Sequence, residues 1–250
     1  MGLLRILCLA CLLIIAACTP KPDTSAWGTQ APVLEQPPSS ELRILVIGGT
    51  SGIGLETVKL AVQRGHQVVA TARRPERMTL THQNLQTVKS DILDAQSVST
   101  VTGNVDAVVV AIGIPPTREP VSLFSDGTAN VLSAMAQHSV GRLVVITGIG
   151  AGDSRGHGGF FYDNILQRFL LKTIYEDKDR SEALVVKSAT DWTIVRPGFL
   201  IDEPAAGRYR VVEDMAGVTA GDIARADVAH FILAALESGQ YVQKTVLLTN

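Results

Sequence analysis

The 250-residue sequence is poor in cysteine, in aromatic residues and in net charge. Its three cysteines are Cys8, Cys11 and Cys18, so the chain beyond residue 18 offers no disulfide and no thiolate metal site. The five histidines are scattered, and no tight cluster of His, Asp and Glu indicates a metal site of another kind. A net charge of −2 and an aromatic content of 5% give no basis for binding nucleic acid, which requires positive charge and stacking side chains.

What the sequence does have at its start is an apolar run, residues 6–17, between Arg5 and Cys18. The run is shorter than the roughly 20 residues that span a bilayer, and its charged, apolar and small-residue parts are typical of an export signal. Ile15-Ala16-Ala17-Cys18 resembles a bacterial lipobox. That resemblance implies removal of residues 1–17 and a lipid on Cys18, which would anchor an extracytoplasmic, for example periplasmic, lipoprotein to a membrane. A plain secretory signal and an uncleaved anchor are the alternatives.

Residues 18–40 are predicted to be a proline-rich tether. Five prolines are interleaved with Ser, Thr, Gln and Gly, and such a composition cannot bury enough apolar area to fold. The globular domain is therefore predicted to occupy residues 41–250.

Short apolar runs alternate with helical patterns through this domain, which predicts a single α/β domain with a doubly wound parallel sheet of Rossmann type. The last helix is expected to be capped by Asp222, and the apolar stripe within residues 160–174 is expected to be core. Strands are predicted at 43–47, 67–71, 85–88, 107–111, 142–147, 193–195, 209–212 and 245–248, and helices at 52–64, 95–102, 127–138 and 223–236.

The first strand ends in a glycine-rich turn that opens directly into a helix. Glycines let the backbone approach a pyrophosphate, and the helix N-terminus supplies free N–H groups. An ordinary βα turn is the alternative, but the flanking strand and helix favour a dinucleotide site. The cofactor-binding residues predicted here are Gly48, Thr50, Ser51, Gly52, Ile53 and Gly54.

The ends of the next strands complete the predicted cofactor site. Arg73 and Arg74 follow the second strand, with no acidic residue before Glu76, and guanidinium groups suit a 2′-phosphate, so NADP (NADPH) is favoured over NAD. A merely solvated arginine is the alternative. Other residues expected to contact the nucleotide are Asp91, Ile92, Ala111, Ile112 and Gly113.

Five motifs together resemble the atypical, NmrA-like branch of the short-chain dehydrogenases/reductases, which contains NAD(P)H-binding proteins, and also the biliverdin reductase B/flavin reductase group. The motifs are residues 48–54, 90–94, 142–147, 191–198 and 202–209, and the similarity spans residues 42–250. The resemblance implies that Pro197, Gly198 and Phe199 approach the nicotinamide side of the cofactor.

The catalytic pair of the main branch, Tyr-x-x-x-Lys, is broken in this chain. Tyr162 has no lysine four residues later, and Lys178 follows Tyr175 by only three. By resemblance, the catalytic candidates are Thr147, at the position of the family's serine, and Lys178, which would reach the nicotinamide ribose. A solvated Lys178 paired with Glu182 is the alternative interpretation.

These observations predict an NADPH-dependent reductase of a small conjugated acceptor of the flavin, quinone or tetrapyrrole type. Such an acceptor takes a hydride without a strong protein acid, and the glycine-rich residues 148–161 are expected to form a flexible lid over it. A non-catalytic NADP(H)-binding sensor or assembly protein is the competing class. An isomerase or epimerase is disfavoured because the tyrosine pair is missing and the tail is short.

Overall fold

The computed structural model describes residues 29–30 and 40–250, and its main element is a nine-stranded sheet. The leader, with Cys18, lies outside the described residues. The elements are β1 (Thr29–Gln30), β2 (Arg43–Ile47), α1 (Gly52–Gln63), β3 (Gln67–Ala72), β4 (Leu85–Lys89), α2 (Ala95–Thr102), β5 (Ala107–Val110), α3 (Leu123–His138), β6 (Arg142–Ile146), α4 (Gln167–Phe169), α5 (Lys172–Lys187), β7 (Asp191–Pro197), β8 (Phe199–Ile201), β9 (Arg210–Val212), β10 (Asp222–Ala224), α6 (Arg225–Ser238) and β11 (Lys244–Thr249).

The strand order is β1-β9-β11-β7-β6-β5-β2-β3-β4. The seven strands from β11 to β4 are parallel, whereas β9 pairs antiparallel with β11 and β1 pairs antiparallel with β9. The chain moves outward in one direction from β2 and in the other from β5. The adjacent ends of β2 and β5 therefore form the switch point at which such sheets bind ligands. The predicted fold class is confirmed.

Alternate residues of the central strands point to opposite faces of the sheet, and both faces are covered. Ile44 of β2 belongs to a buried cluster with Val58 of α1 and Phe231 of α6. Its neighbour Leu45 belongs to a second cluster with residues of α2, α3 and α5. A parallel strand buried on both faces reads as a continuous apolar run, which explains why these strands are recognisable in the sequence.

Three sequence-based expectations about the elements need correction. The helix expected from residue 127 begins four residues earlier, at Leu123. Asp222 is not a helix cap, because it lies in β10, which pairs with β8, and α6 begins after Ala224 with no side-chain cap. Within the predicted tether, Thr29 and Gln30 form the edge strand β1.

The apolar stripe within residues 160–174 has helical spacing but is core only in part. Ile174 is buried and Leu166 packs on the core, whereas the other five members are exposed. A π-helical turn, Tyr162–Leu166, runs into α4, and only its inner side packs on the domain. Phe160 is 82% exposed and Phe161 61% exposed. None of the described helices is long and apolar enough to cross a membrane.

Candidate cofactor site

The turn after β2 has a backbone path that only glycine can follow. Gly48 has a φ of +86°, and a Cβ atom placed on it would lie 2.5 Å from the carbonyl oxygen of Ala111. A Cβ on Gly54 would overlap the carbonyl oxygen of Gly48. Glycine at these positions therefore lets the turn sit tightly between the end of β5 and the first turn of α1.

The N-terminus of α1 fits a phosphate group. Ser51 precedes the helix in an extended conformation, its side chain makes no capping hydrogen bond, and the first turn contains no acidic residue. The first N–H groups of the 12-residue helix and the positive end of its dipole therefore face the cleft, and no acidic side chain in the first turn of the helix offsets them.

One half of the cleft is a cavity of about 350 Å³ above the ends of β2, β3 and β4. Arg73, Arg74 and Arg77 line it, all three are exposed, and none has an ion-pair partner in the described part of the chain. Asp91 lies on the same wall, and Thr71 contributes a buried hydroxyl oxygen without a hydrogen-bond partner among the described residues. This half offers guanidinium groups to a phosphate and a carboxylate to a donor.

The other half is a cavity of about 490 Å³ that reaches the end of β6. Thr147, Lys178, Leu200 and Arg225 lie along it. Both halves are also lined by residues of the two switch-point loops, so together they form one continuous cleft across the glycine-rich turn. These shared residues are Ser51, Ala111, Ile112, Gly113 and Pro115.

Lys178 is fixed at the far end of this cleft. Its Nζ donates to the carbonyl oxygen of Thr147 at 2.5 Å and lies 4.8 Å from the ring centroid of Tyr175 and 5.3 Å from that of Phe124. Burial lowers the pKa of Lys178 to about 8, although Glu182 acts in the opposite direction. The interpretation of Lys178 as a solvated lysine is therefore wrong, because the side chain is partly buried and held over two rings.

The hydroxyl of Thr147 is engaged in a buried ionic network. It donates to Glu182 Oε1 at 2.6 Å, and the same carboxylate accepts from Arg196 Nε at 3.0 Å and from Arg196 Nη2 at 2.6 Å. Arg196 also bonds Asp153. Arg196 lowers the pKa of Asp153, while Glu182 raises the pKa of Arg196 against the effect of burial. This network fixes the end of β6 against α5 and β7.

Neither tyrosine near the far end presents its hydroxyl to the cleft. The Tyr162 hydroxyl donates to the carbonyl oxygen of Ile149 at 2.9 Å and lies 2.7 Å from the Tyr175 hydroxyl. Burial raises the pKa of both tyrosines. A tyrosine acid of the Tyr-x-x-x-Lys kind is therefore absent among the residues that line the described cleft.

The glycine-rich residues 148–161 are more ordered than the expected flexible lid. Arg155 binds Asp179 at 2.5 Å, the amide of Gly152 donates to the same carboxylate at 2.7 Å, and His157 Nδ1 lies 2.7 Å from the carbonyl oxygen of Val218. Gln167 donates to the carbonyl oxygen of Gly150 at 2.5 Å. The segment is a hydrogen-bonded turn packed beside the cleft.

The structure brings together most of the residues expected at the cofactor site. Gly54 supports the turn from behind, whereas Pro197, Gly198 and Phe199 lie outside the two cavities, and the next residue, Leu200, lines the cleft instead. The predicted residues that line the cleft are Gly48, Thr50, Ser51, Gly52, Ile53, Arg73, Arg74, Asp91, Ile92, Ala111, Ile112, Gly113, Thr147 and Lys178.

Sequence reasoning missed Arg77 and Arg225. Arg77 follows Arg74 in the same loop, so its charge was a usable signal. Arg225 comes from the start of α6, far along the chain, yet its side chain reaches within 3.8 Å of a Cβ placed on Gly52. Its Nη1 lies 2.7 Å from Asp202 Oδ1. Taken together, the glycine turn, the N-terminus of α1 and the guanidinium groups of Arg73, Arg74 and Arg77 fit a phosphorylated dinucleotide.

Comparison with known proteins agrees with this geometry. A family model described as NAD(P)H-binding matches residues 48–239. The chain is 27% identical over 202 residues to the chloroplastic protein At2g34460 of Arabidopsis thaliana, which covers 78% of this chain and 71% of that protein. It is 34% identical over 73 residues to the oxidoreductase C162.03 of Schizosaccharomyces pombe, which covers only 26% of this chain and 25% of that protein.

Solved structures share the fold at low identity. The oxidoreductase ylbE of Lactococcus lactis superposes with a TM-score of 0.71 at 20% identity, covering 84% of this chain and 91% of that one. ChuY of Escherichia coli O157:H7, an anaerobillin reductase, gives 0.69 at 23% identity, with 83% and 96% covered. A short-chain dehydrogenase/reductase of Veillonella parvula in complex with NADP gives 0.71 at 13% identity, with 84% and 95% covered.

Proposed function

Since the chain belongs to the NAD(P)H-binding family, we propose that it is an NADPH-dependent reductase of a small conjugated acceptor of the flavin, quinone or tetrapyrrole type. The observation that carries the proposal is the continuous cleft, with a phosphate-binding turn at its centre, exposed arginines at one end and Lys178 at the other. The likeness to oxidoreductases, among them ChuY, supports it.

The preference for NADPH rests on charge at the adenosine end. Three guanidinium groups without acidic partners in the described chain surround this cavity, and planar guanidinium groups bind phosphate in a bidentate way. NAD sites instead often have an acidic side chain after this strand, which accepts a hydrogen bond from the ribose 2′-hydroxyl. Here no acidic residue follows β3 before Glu76. Arg73 and Arg74 would therefore hold the 2′-phosphate that distinguishes NADPH from NADH.

The class of acceptor follows from the other end of the cleft. The reduced nicotinamide would supply a hydride there. Lys178 would hold the ribose of the cofactor through its ammonium group, which its bond to the Thr147 carbonyl keeps in place. Because Tyr162 and Tyr175 are engaged with each other, no tyrosine delivers a proton in the described cleft, and an acceptor that stabilises the incoming charge by conjugation suits this site.

The proposal is tested by measuring NADPH oxidation with a flavin, a quinone and a linear tetrapyrrole as acceptors. We expect turnover with at least one of them, and Lys178→Met should raise the KM for NADPH by about tenfold, which is the loss of one hydrogen bond to a charged group. Lys187→Met, on an exposed residue at the C-terminal end of α5, is the matched control and should have no effect. Binding of NADPH without oxidation by any acceptor would contradict the reductase.

A non-catalytic NADP(H)-binding sensor or assembly protein is the second candidate. The specific observation that favours it is the burial of both tyrosine hydroxyls, which leaves the cleft able to bind a cofactor without a protein acid for catalysis. In that case NADPH should bind and stabilise the chain, and the acceptor screen should give no oxidation above the rate without protein.

We also propose that the protein is a membrane-anchored lipoprotein with the lipid on Cys18 and its domain outside the cytoplasm. The lipobox-like residues 15–18 and the proline-rich stretch after them support this. Free NADPH is not expected outside the cytoplasmic membrane, so an exported domain would have to carry its cofactor or receive it there. Incorporation of a labelled fatty acid that is lost in Cys18→Ala would support the anchor, and equal labelling of both chains would contradict it.

A further inference from the structure

The segment between β6 and α5 carries a cluster of exposed apolar side chains that no catalytic role explains. Its most exposed members are Phe160, Phe161 and Phe169, which are 82%, 61% and 60% exposed. Ile165 and Leu170 are 42% and 39% exposed and continue the same stretch. We call these five residues the aromatic face. Large aromatic side chains are rarely left in water together without a partner, so this cluster indicates an interaction surface.

The packing of the segment fixes the aromatic face outward. On the inner side, Tyr162 is buried, and its ring packs edge-to-face on Phe199 with the centroids 5.2 Å apart. Leu166 packs against the same buried cluster. Because Tyr162 and Leu166 occupy the inner positions, the side chains of the aromatic face stay on the outer side of the segment.

Basic side chains border the aromatic face. Arg118, Arg168 and Lys172 surround a shallow cavity of about 200 Å³ whose apolar wall is Phe169 and Leu170. Lys172 forms an exposed ion pair with Glu176 at 3.7 Å, and such a pair is weak in water. Apolar aromatic side chains with adjacent Arg and Lys match a lipid surface that carries negative charge.

The described N-terminal strand β1 lies at the edge of the sheet beside β9. In the antiparallel pair, Thr29 lies opposite Val211 and Gln30 opposite Arg210. Val212 belongs to the same buried cluster as Tyr162, an inner residue of the segment that carries the aromatic face. From Cys18 to Thr29 a fully extended chain spans at most about 40 Å, so a lipid on Cys18 would keep the domain close to the bilayer.

We propose that the aromatic face docks on the surface of an anionic bilayer, with its phenylalanines at the headgroup boundary and the neighbouring arginines and lysine against the lipid charges. The inference rests on the proposed lipid anchor but not on cofactor binding. Docking would place the Lys178 end of the cleft near the lipid, because Tyr162, in the segment that carries the aromatic face, is hydrogen-bonded to Tyr175, whose ring centroid lies 4.8 Å from Lys178 Nζ.

The test uses the full-length chain in vesicles whose lipids carry bromine near the top of the acyl chains. Phe169→Trp places a fluorescent reporter on the aromatic face. Val242→Trp is the matched control, since Val242 is exposed just before β11, at the N-terminal ends of the parallel strands, whereas the segment with the aromatic face follows the C-terminal end of β6. In vesicles that contain phosphatidylglycerol, we expect emission from Trp at 169 to fall about twofold relative to unbrominated lipid, because a docked apolar face enters the lipid by several ångströms. The parent chain, with Trp27 and Trp192, provides the background.

Charge reversal tests whether the basic residues hold the aromatic face on the anionic lipid. Arg168→Glu with Lys172→Glu should lower the docked fraction at least about fivefold, since each basic residue near an anionic surface favours binding by about that factor. The parent chain should show the same loss of docked fraction in vesicles of phosphatidylcholine alone, which carry no net charge. Equal quenching at 169 and 242, or none at 169, would overturn the proposal. So would a dimer in detergent that Phe169→Ser dissociates, because a second copy would then cover the face. Binding of NADPH is measured separately and is expected to be unchanged in these variants.

Discussion

Loss of Glu182 should destabilise the fold strongly, because it would leave a buried guanidinium with one exposed partner. Glu182 is 5% exposed and Arg196 is 4% exposed, and the carboxylate accepts two bonds from Arg196 and one from Thr147. In Glu182→Ala, Arg196 would keep only Asp153, whose side chain is 83% exposed. Breaking a buried ion pair costs about 3–5 kcal/mol.

The assay is equilibrium unfolding in urea, supported by thermal melts. For a domain of this size, the loss corresponds to a fall in Tm of about 6–20 °C, at about 2–4 °C per kcal/mol. Glu176→Ala is the matched control, since it makes the same substitution on the same helix at a position whose side chain is 49% exposed, and it should change stability by less than about 0.5 kcal/mol. Replacing the pair with Glu182→Leu and Arg196→Met should restore most of the loss. Equal effects of Glu182→Ala and Glu176→Ala would refute the reasoning.

Three further predictions follow from the cleft. Gly48→Ala should lower the unfolding free energy by about 1–3 kcal/mol and weaken NADPH binding, because its Cβ would meet the Ala111 carbonyl. Gly65→Ala, at a similar φ but in open space, should cost less, and urea unfolding of both variants compares them. The pKa of Lys178 is about 8 in the folded chain, against an ordinary value of 10.5, so between these pH values the unfolded chain holds more protons than the folded one. The unfolding free energy should therefore rise with pH in this window. A pH series of unfolding curves should show this rise in the parent chain and not in Lys178→Met. Arg225→Ala should weaken NADPH and NADH about equally, by roughly tenfold in calorimetry, because Arg225 lies at the phosphate turn shared by both.

Local patterns explain why the glycine-rich turn between β2 and α1 could be predicted from the sequence. The apolar run before Gly48 forms a strand buried on both faces, and the glycines that follow are required by the close approach of Ala111. Each of these signals lies within a few residues of the others. The same holds for Arg73 and Arg74, whose position at the end of a strand is fixed as soon as the strand is recognised.

Contacts between distant parts of the chain could not be predicted in this way. Helical spacing at residues 160–170 showed that the segment has an apolar side, but not that Tyr162 and Leu166 already fill the inner positions. Arg225 reaches Gly52 across more than 170 residues, and nothing near either position signals the contact. The bond from Lys178 to the Thr147 carbonyl likewise depends on how α5 packs against β6.

The central claim is that the cleft binds NADPH with its 2′-phosphate against Arg73 and Arg74, which follow β3. Its most direct test is calorimetric titration of NADPH and of NADH into the chain beginning at Thr19, with and without Arg73→Ala/Arg74→Ala. The account predicts that one NADPH binds per chain, more tightly than NADH. In the variant the affinity for NADPH should fall at least about a hundredfold, because two charged hydrogen-bonding groups are removed. The affinity for NADH should change little. Absence of binding by either nucleotide, or an equal affinity for both that the variant leaves unchanged, would contradict it.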